Sequence, residues 1–126
     1  MKSSEIITPE GNIAQYTIDN NNELNLIFSH ANGFNGRVYN SLLHKINNNY
    51  NIHTYDMRGH GDTTLKANPS NLKSWYSFRD DLLSVIKNFK TPVVLSGHSM
   101  GATASLLVAL HKPESVSYTH LRAHET

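Results

Sequence analysis

The chain has 126 residues, of which 38% are hydrophobic and 17% are charged, and its formal net charge is +1. This composition is typical of one small globular domain, and the dispersed charge excludes the broad basic face that binds nucleic acid or an anionic membrane. The absence of cysteine excludes a disulfide framework and a thiolate metal site. No segment approaches the roughly 20 apolar residues that span a bilayer, and the N-terminus lacks a signal-peptide core. A cytoplasmic location is therefore expected.

The first third of the chain predicts two strands and a helix. Residues 13–18 and 24–29 are short apolar runs typical of strands, and the polar segment 19–23 between them predicts that they pair as a hairpin. Apolar residues then recur at helical spacing from Val38 to Ile46, which predicts the first helix.

The rest of the chain continues the alternation of strands and helices. Residues 51–55 are predicted to form a strand, a polar loop follows over 58–69, and apolar spacing over 78–89 predicts a second helix. Residues 93–96 predict a further strand, which leads into a helix-forming run that should stop near His111 because of Pro113. The pattern favours an α/β fold in which helices cover a sheet.

The junction of that last strand and helix carries the sequence Gly97-His98-Ser99-Met100-Gly101. A Gly-x-Ser-x-Gly motif between a strand and a helix presents the serine at a sharp, strained turn, with its hydroxyl exposed to a base and a carbonyl carbon. Ser99 is therefore the candidate nucleophile. Gly97 and Gly101 flank a residue that is expected to adopt positive φ, where neighbouring side chains would clash with the strand or the helix.

A second candidate feature is the small-residue loop His30-Ala31-Asn32-Gly33-Phe34 that follows residues 24–29. Acyl transfer through a serine needs two donors for the oxyanion, and we expect these to be the backbone N–H groups of Asn32 and Met100. His30, Gly33 and His98 would support the two motifs. The alternative is that residues 30–36 form only a turn, since Asn-Gly is common in turns.

A third polar cluster, residues 56–63, follows the strand over residues 51–55. Asp56, Arg58 and His60 resemble an acid/base group, but two nearby glycines indicate a turn braced by polar side chains or an ion pair. We therefore favour a structural role and do not expect His60 to be the catalytic base.

Taken in order, the motifs at residues 30–34, 56–61 and 97–101 resemble the N-terminal half of the α/β-hydrolase superfamily. The resemblance covers about residues 10–114. It implies a three-layer α/β/α fold whose mostly parallel sheet begins with an antiparallel N-terminal hairpin and is truncated here after the elbow helix. The family's oxyanion loop usually begins His-Gly, whereas this one begins His30-Ala31.

The resemblance implies a serine hydrolase that cleaves an ester or related acyl bond of a small molecule through an acyl-enzyme, without a metal or organic cofactor. In the family, the triad acid and histidine follow later strands, beyond Leu110. His111, at the far end of the elbow helix, is about 18 Å from Ser99 by a rise of roughly 1.5 Å per residue. The chain by itself is therefore expected to be an inactive fragment, with an open edge beside the elbow strand.

The last eleven residues, 116–126, resemble a translated sequencing adapter. On this interpretation residues 1–115 are a partial α/β-hydrolase domain and residues 116–126 are a non-native tail.

Several functions remain open for the parent protein. On the same fold, the parent protein is alternatively a peptidase, thioesterase, acyltransferase or cofactor-free perhydrolase. These activities stay open because the cap and the acyl pocket determine which of them the fold supports. A non-catalytic binding protein of the same fold is the alternative from another class. The oligomeric state is open as well.

Overall fold

The structure is a computed structural model that describes residues 1–45, 49–67, 75–90 and 92–122. In this part of the chain, six strands form one sheet: β1 (Lys2–Thr8), β2 (Gly11–Ile18), β3 (Asn25–Ser29), β4 (Asn51–Tyr55), β5 (Val93–His98) and β6 (Val116–Arg122). The α-helices are α1 (Asn40–His44), α2 (Tyr76–Ile86) and α3 (Met100–His111), and short 3-10 helices cover Gly36–Tyr39 and Pro113–Ser115.

The strands lie in the order β1-β2-β4-β3-β5-β6, with β3 between two parallel neighbours. Successive side chains of a strand point to opposite faces. Leu26 and Phe28 of β3 therefore pack with Leu43 of α1 on one face, whereas Ile27 packs on the other face with residues of α2 and α3, such as Leu82 and Val108. Helices cover both faces, so the predicted three-layer α/β/α architecture is confirmed.

The predicted pairing of residues 13–18 with 24–29 is wrong. The antiparallel hairpin is formed instead by β1 and β2, which a two-residue turn joins in the register Thr8↔Gly11, while β2 also pairs with β4. β3 is nearly completely buried, so it requires a hydrogen-bonding neighbour at each edge, and β4 separates it from β2. The sequence analysis missed β1 because most of its side chains are exposed and show no apolar alternation.

The predicted helices are present with shifted ends. The first is a 3-10 turn followed by α1, which ends at His44, and Ile46 lies outside the described residues. The second, α2, covers Tyr76–Ile86 instead of 78–89. The elbow helix α3 ends at His111, which confirms the predicted stop before Pro113. Of the predicted loop over 58–69, residues 68 and 69 lie outside the described part.

Residues Val116–Arg122 form β6, which pairs in parallel with β5 in the register Val93↔Val116. The edge of β5 that was expected to be open is therefore filled by this strand. The boundary at residue 115 and the origin of the segment that follows it stay predictions.

The loop after β4 is held by a buried ion pair and a buried carboxylate. Arg58 donates from Nε and Nη2 to the two oxygens of Asp81 on α2, at 2.7 and 2.8 Å. This hydrogen-bonded pairing raises the pKa of Arg58. Asp56 accepts from the Gly36 N–H at 2.8 Å and from the Tyr16 hydroxyl at 2.7 Å. The ion pair of Arg58 and the hydrogen bonds of Asp56 confirm the structural interpretation of these two residues.

No helix among the described residues is long and apolar enough to cross a membrane.

Stability should fall in mild acid because His53 on β4 is buried. Its Nδ1 lies 2.9 Å from the Thr17 hydroxyl and its Nε2 lies 2.9 Å from Asn25 Oδ1. Burial lowers the pKa of His53 from 6.5 to about 4. As the pH falls, the unfolded chain therefore takes up the proton before the folded protein does. The contribution of His53 to the free energy of unfolding is complete above pH 6.5 and is lost as the pH falls toward 4, by up to about 3 kcal/mol.

Urea denaturation at a series of pH values measures this loss. His53→Gln should weaken the dependence of the free energy of unfolding on pH, and the control His44→Gln, at an exposed histidine, should retain the loss of stability that His53 causes. Burial also lowers the pKa of His30, so some dependence should persist in His53→Gln. An unchanged pH profile in His53→Gln would show that His53 does not titrate as the structure implies.

Candidate active site

Ser99 connects β5 directly to α3 and has strained backbone angles, φ 54° and ψ −111°. Among the described residues, Asn21 is the other non-glycine residue with positive φ. A residue with a Cβ pays about 1–3 kcal/mol for such a sparsely populated backbone conformation. The positive φ expected at Ser99 is thus confirmed, and the serine lies at a turn, not inside a helix.

The two motif glycines are required by close backbone contacts. A Cβ added to Gly97 would lie 2.5 Å from the carbonyl carbon of Gly101 in the next turn. A Cβ on Gly101 would overlap the carbonyl group of Ser29 at the end of β3. The start of α3 therefore packs backbone against backbone on the neighbouring strand, and both positions exclude any side chain.

The start of α3 presents unpaired backbone donors next to Ser99. The Thr103 N–H donates to the Ser99 carbonyl at 3.1 Å, which closes the first helical turn. Met100 is the first residue of the helix, where N–H groups lack intrahelical acceptors and carry the positive end of the helix dipole. Its N–H is thus suited to a developing negative charge.

The loop after β3 lies beside this turn because β3 and β5 are parallel neighbours with Ser29 opposite Gly97. Most N–H groups of the loop are already engaged. The Ala31 N–H donates to the Tyr39 hydroxyl at 3.1 Å, and the Phe34 N–H donates to the Ala31 carbonyl at 3.1 Å. The Gly33 N–H donates to His60 Nε2 at 3.1 Å. These bonds use the N–H groups of Ala31, Gly33 and Phe34. They do not use the N–H of Asn32.

His30 sets the direction of that donor. The fully buried ring accepts from the Met57 N–H at Nε2, at 2.9 Å, so the neutral ring carries its proton on Nδ1 and donates to the Ala31 carbonyl at 2.8 Å. Burial lowers the pKa of His30, which favours this neutral form. Because the peptide is planar and trans, fixing the Ala31 carbonyl directs the Asn32 N–H the opposite way.

Tyr39 links the loop to the elbow, a role that the sequence analysis missed. Its hydroxyl accepts from the Ala31 N–H and lies 3.1 Å from Nδ1 of His98, the residue before Ser99. The ring of Phe34 also stacks on His98, with 6.4 Å between centroids. Tyr39 matched the apolar spacing of a helix, and nothing in the pattern distinguished a hydroxyl that bonds across the sheet from a core aromatic.

The described residues supply Ser99 with no partner that could activate it. No described side chain hydrogen-bonds to its hydroxyl. His111 lies at the opposite end of α3, and His30 and His60 are engaged in the loops. In the described part of the chain, no three histidine, aspartate or glutamate side chains are grouped so as to hold a metal ion.

Comparisons with known proteins agree with this fold. The sequence model of the alpha/beta hydrolase family matches residues 26–122. A hypothetical protein from Pseudomonas aeruginosa PAO1 is 24% identical with a TM-score of 0.84, over 96% of this chain and 43% of that one. A thioesterase domain from the curacin biosynthetic pathway is 20% identical with a TM-score of 0.80, over 96% and 45%.

The N-acyl homoserine lactonase AidH, complexed with N-butanoyl homoserine, is 20% identical with a TM-score of 0.83, over 96% of this chain and 44% of that one. The chain therefore spans less than half the length of these structures, and at such identities the likeness shows the fold alone. Comparison with curated protein sequences found no match.

The close approach at Gly101 predicts a large loss of stability in Gly101→Ala, of at least about 2 kcal/mol, because the backbone of β3 has to move. Gly33→Ala is the matched control. Gly33, unlike the helical Gly101, has a positive φ, 83°, but an added Cβ there meets nothing within 4 Å, so this substitution should cost only about 1 kcal/mol. Urea denaturation measures both, and equal losses in the two variants would contradict the backbone contact.

Proposed function

Because this chain belongs to the alpha/beta hydrolase family, we propose that its parent protein is a serine hydrolase that cleaves an ester or related acyl bond through an acyl-enzyme. The observation that carries the proposal is the strained backbone of Ser99 at the start of α3, beside a loop whose described hydrogen bonds use the N–H groups of Ala31, Gly33 and Phe34 but not that of Asn32. That combination has a chemical use in acyl transfer and costs stability otherwise.

In the proposed reaction, the Ser99 hydroxyl oxygen attacks the carbonyl carbon of the substrate while a base removes its proton. The oxyanion that forms accepts hydrogen bonds from the N–H groups of Asn32 and Met100. Collapse of the intermediate expels the alcohol, which takes up the proton, and leaves the acyl group on Ser99. Water then attacks the acyl-enzyme by the same route and releases the acid.

The base and its orienting acid come from outside residues 1–126 in this proposal. The chain spans less than half the length of the three structures named above, and no described histidine side chain hydrogen-bonds to the Ser99 hydroxyl. The oxyanion donors alone give only residual catalysis, so the isolated chain should turn over esters far more slowly than the parent protein. The substrate is a small molecule with an acyl group, and the reaction needs no metal or organic cofactor.

Reaction with a fluorophosphonate tests the proposal in the full-length protein. The wild-type protein should be labelled at Ser99 and should hydrolyse a p-nitrophenyl ester, whereas Ser99→Ala should lose labelling and lose activity by on the order of 10⁴-fold or more.

Ser105→Ala is the matched control, because it removes another serine of α3. Ser105 is buried and its hydroxyl has no hydrogen-bond partner among the described residues, so its loss should be neutral or slightly stabilising. A full-length protein that is folded but neither labelled nor active would favour the non-catalytic binding protein. Ester turnover that survives Ser99→Ala would assign catalysis to another group.

A further inference from the structure

The Asn32 N–H belongs to the peptide unit that precedes this residue, and the peptide unit that follows restrains Asn32 from the other side. His30 holds the preceding unit through the Ala31 carbonyl. The following unit joins Asn32 to Gly33, and its N–H donates to Nε2 of His60 at 3.1 Å. We propose that His60 is a positioning residue for the oxyanion hole, which it serves by holding the Gly33 N–H. The inference rests on the proposed function.

The hydrogen bonds of the His60 ring determine which of its nitrogens carries the proton. Its Nδ1 lies 3.0 Å from the Arg58 carbonyl, an acceptor, so Nδ1 carries the proton and donates. In the neutral ring, Nε2 is then an acceptor, as the Gly33 N–H requires. Asn32 Oδ1 lies 3.2 Å from the same Nε2, and a half-turn of the amide presents its NH₂ group there as a second donor. His60 thus contacts Asn32 directly and Gly33 through its backbone.

The loop needs this support because of Gly33. Gly33 has a φ of 83°, and the space around its missing Cβ is open, so no packing contact restrains it there. An unrestrained glycine populates many backbone conformations. Without an acceptor for its N–H, the unit between Asn32 and Gly33 is free to rotate, and the Asn32 N–H moves with the loop.

His60 is itself held in place by the segment at Arg58. The adjacent Arg58 is buried in its bidentate pair with Asp81 on α2, at 2.7 and 2.8 Å. The Arg58 carbonyl that orients the His60 ring is therefore anchored to the core. The ring centroids of His60 and His30 also lie 5.0 Å apart. The two side chains that restrain Asn32 are therefore neighbours between the loops after β3 and β4.

The kinetic test compares three variants of the full-length protein on a p-nitrophenyl ester. His60→Leu removes the acceptor and should lower kcat by on the order of 10- to 100-fold with little change in KM, because the oxyanion exists only after attack. His60→Gln places an amide oxygen near the position of Nε2 and should restore most of kcat. His111→Leu makes the same substitution at an exposed histidine at the far end of α3 and should match the wild type.

Two further measurements separate positioning from folding. The affinity of a boronic acid, which mimics the tetrahedral intermediate, should fall in His60→Leu by the same factor as kcat, while the urea midpoint changes little. In the 126-residue chain labelled with ¹⁵N, a scalar coupling between the Gly33 amide nitrogen and His60 Nε2 should be measurable by NMR. These readouts would not change together if His60 only stabilised the fold.

The outcomes distinguish this inference from the proposed function. If Ser99 reacts with fluorophosphonate but His60→Leu keeps the wild-type kcat and boronate affinity, the proposed function stands and the role of His60 is overturned. The role is likewise overturned if His60→Gln is as impaired as His60→Leu, since then the acceptor is not what matters. If the folded full-length protein shows no labelling and no turnover, the proposed function fails, and the catalytic role of His60 fails with it even where the NMR coupling is present.

Discussion

The close approach of α3 to the end of β3 is the constraint on which the rest of the site depends. The backbone of Gly101 lies against the carbonyl of Ser29 at a separation that excludes any side chain. Helices usually pack through side chains, with axes 8–10 Å from their neighbours. Here the contact is made by backbone, so the first turn of α3 begins beside the end of β5. The chain therefore has to reverse at one residue, Ser99, which explains its positive φ.

Neutral imidazole rings hold the backbone around this turn where no strand ladder reaches. Each neutral ring has one nitrogen that donates and one that accepts, at two different edges of a rigid planar ring. The ring therefore bridges two chain segments at a fixed distance. His30 joins the loop after β3 to Met57, and His60 joins the same loop to the segment at Arg58. Burial lowers the pKa of His30 and so favours the form that can accept and donate at once. The conformation of the loop is thus determined by side chains and not by regular secondary structure.

The differences between the predicted and observed fold have a common physical origin. Hydrophobic periodicity reports which face of a segment is buried, and it identified β3, α2 and α3 because their side chains face the core. It missed β1, which is held mainly by backbone hydrogen bonds to β2 and leaves most of its side chains exposed. It also carries no information on strand neighbours, so a hairpin was assigned to segments that β4 separates.

The sequence by itself determined the strand, turn and helix around Ser99 and its positive φ, because Gly97 and Gly101 encode that geometry within five residues. It also indicated the family and the loop at Asn32. Only the tertiary structure decided which side chains bind the neighbouring N–H groups of that loop. The partners of Gly33 and Ala31 are His60, 27 residues away, and Tyr39, whose ring reaches across to His98. Such pairings follow from strand order and from the proton on each imidazole ring, and neither leaves a periodic signal in the chain.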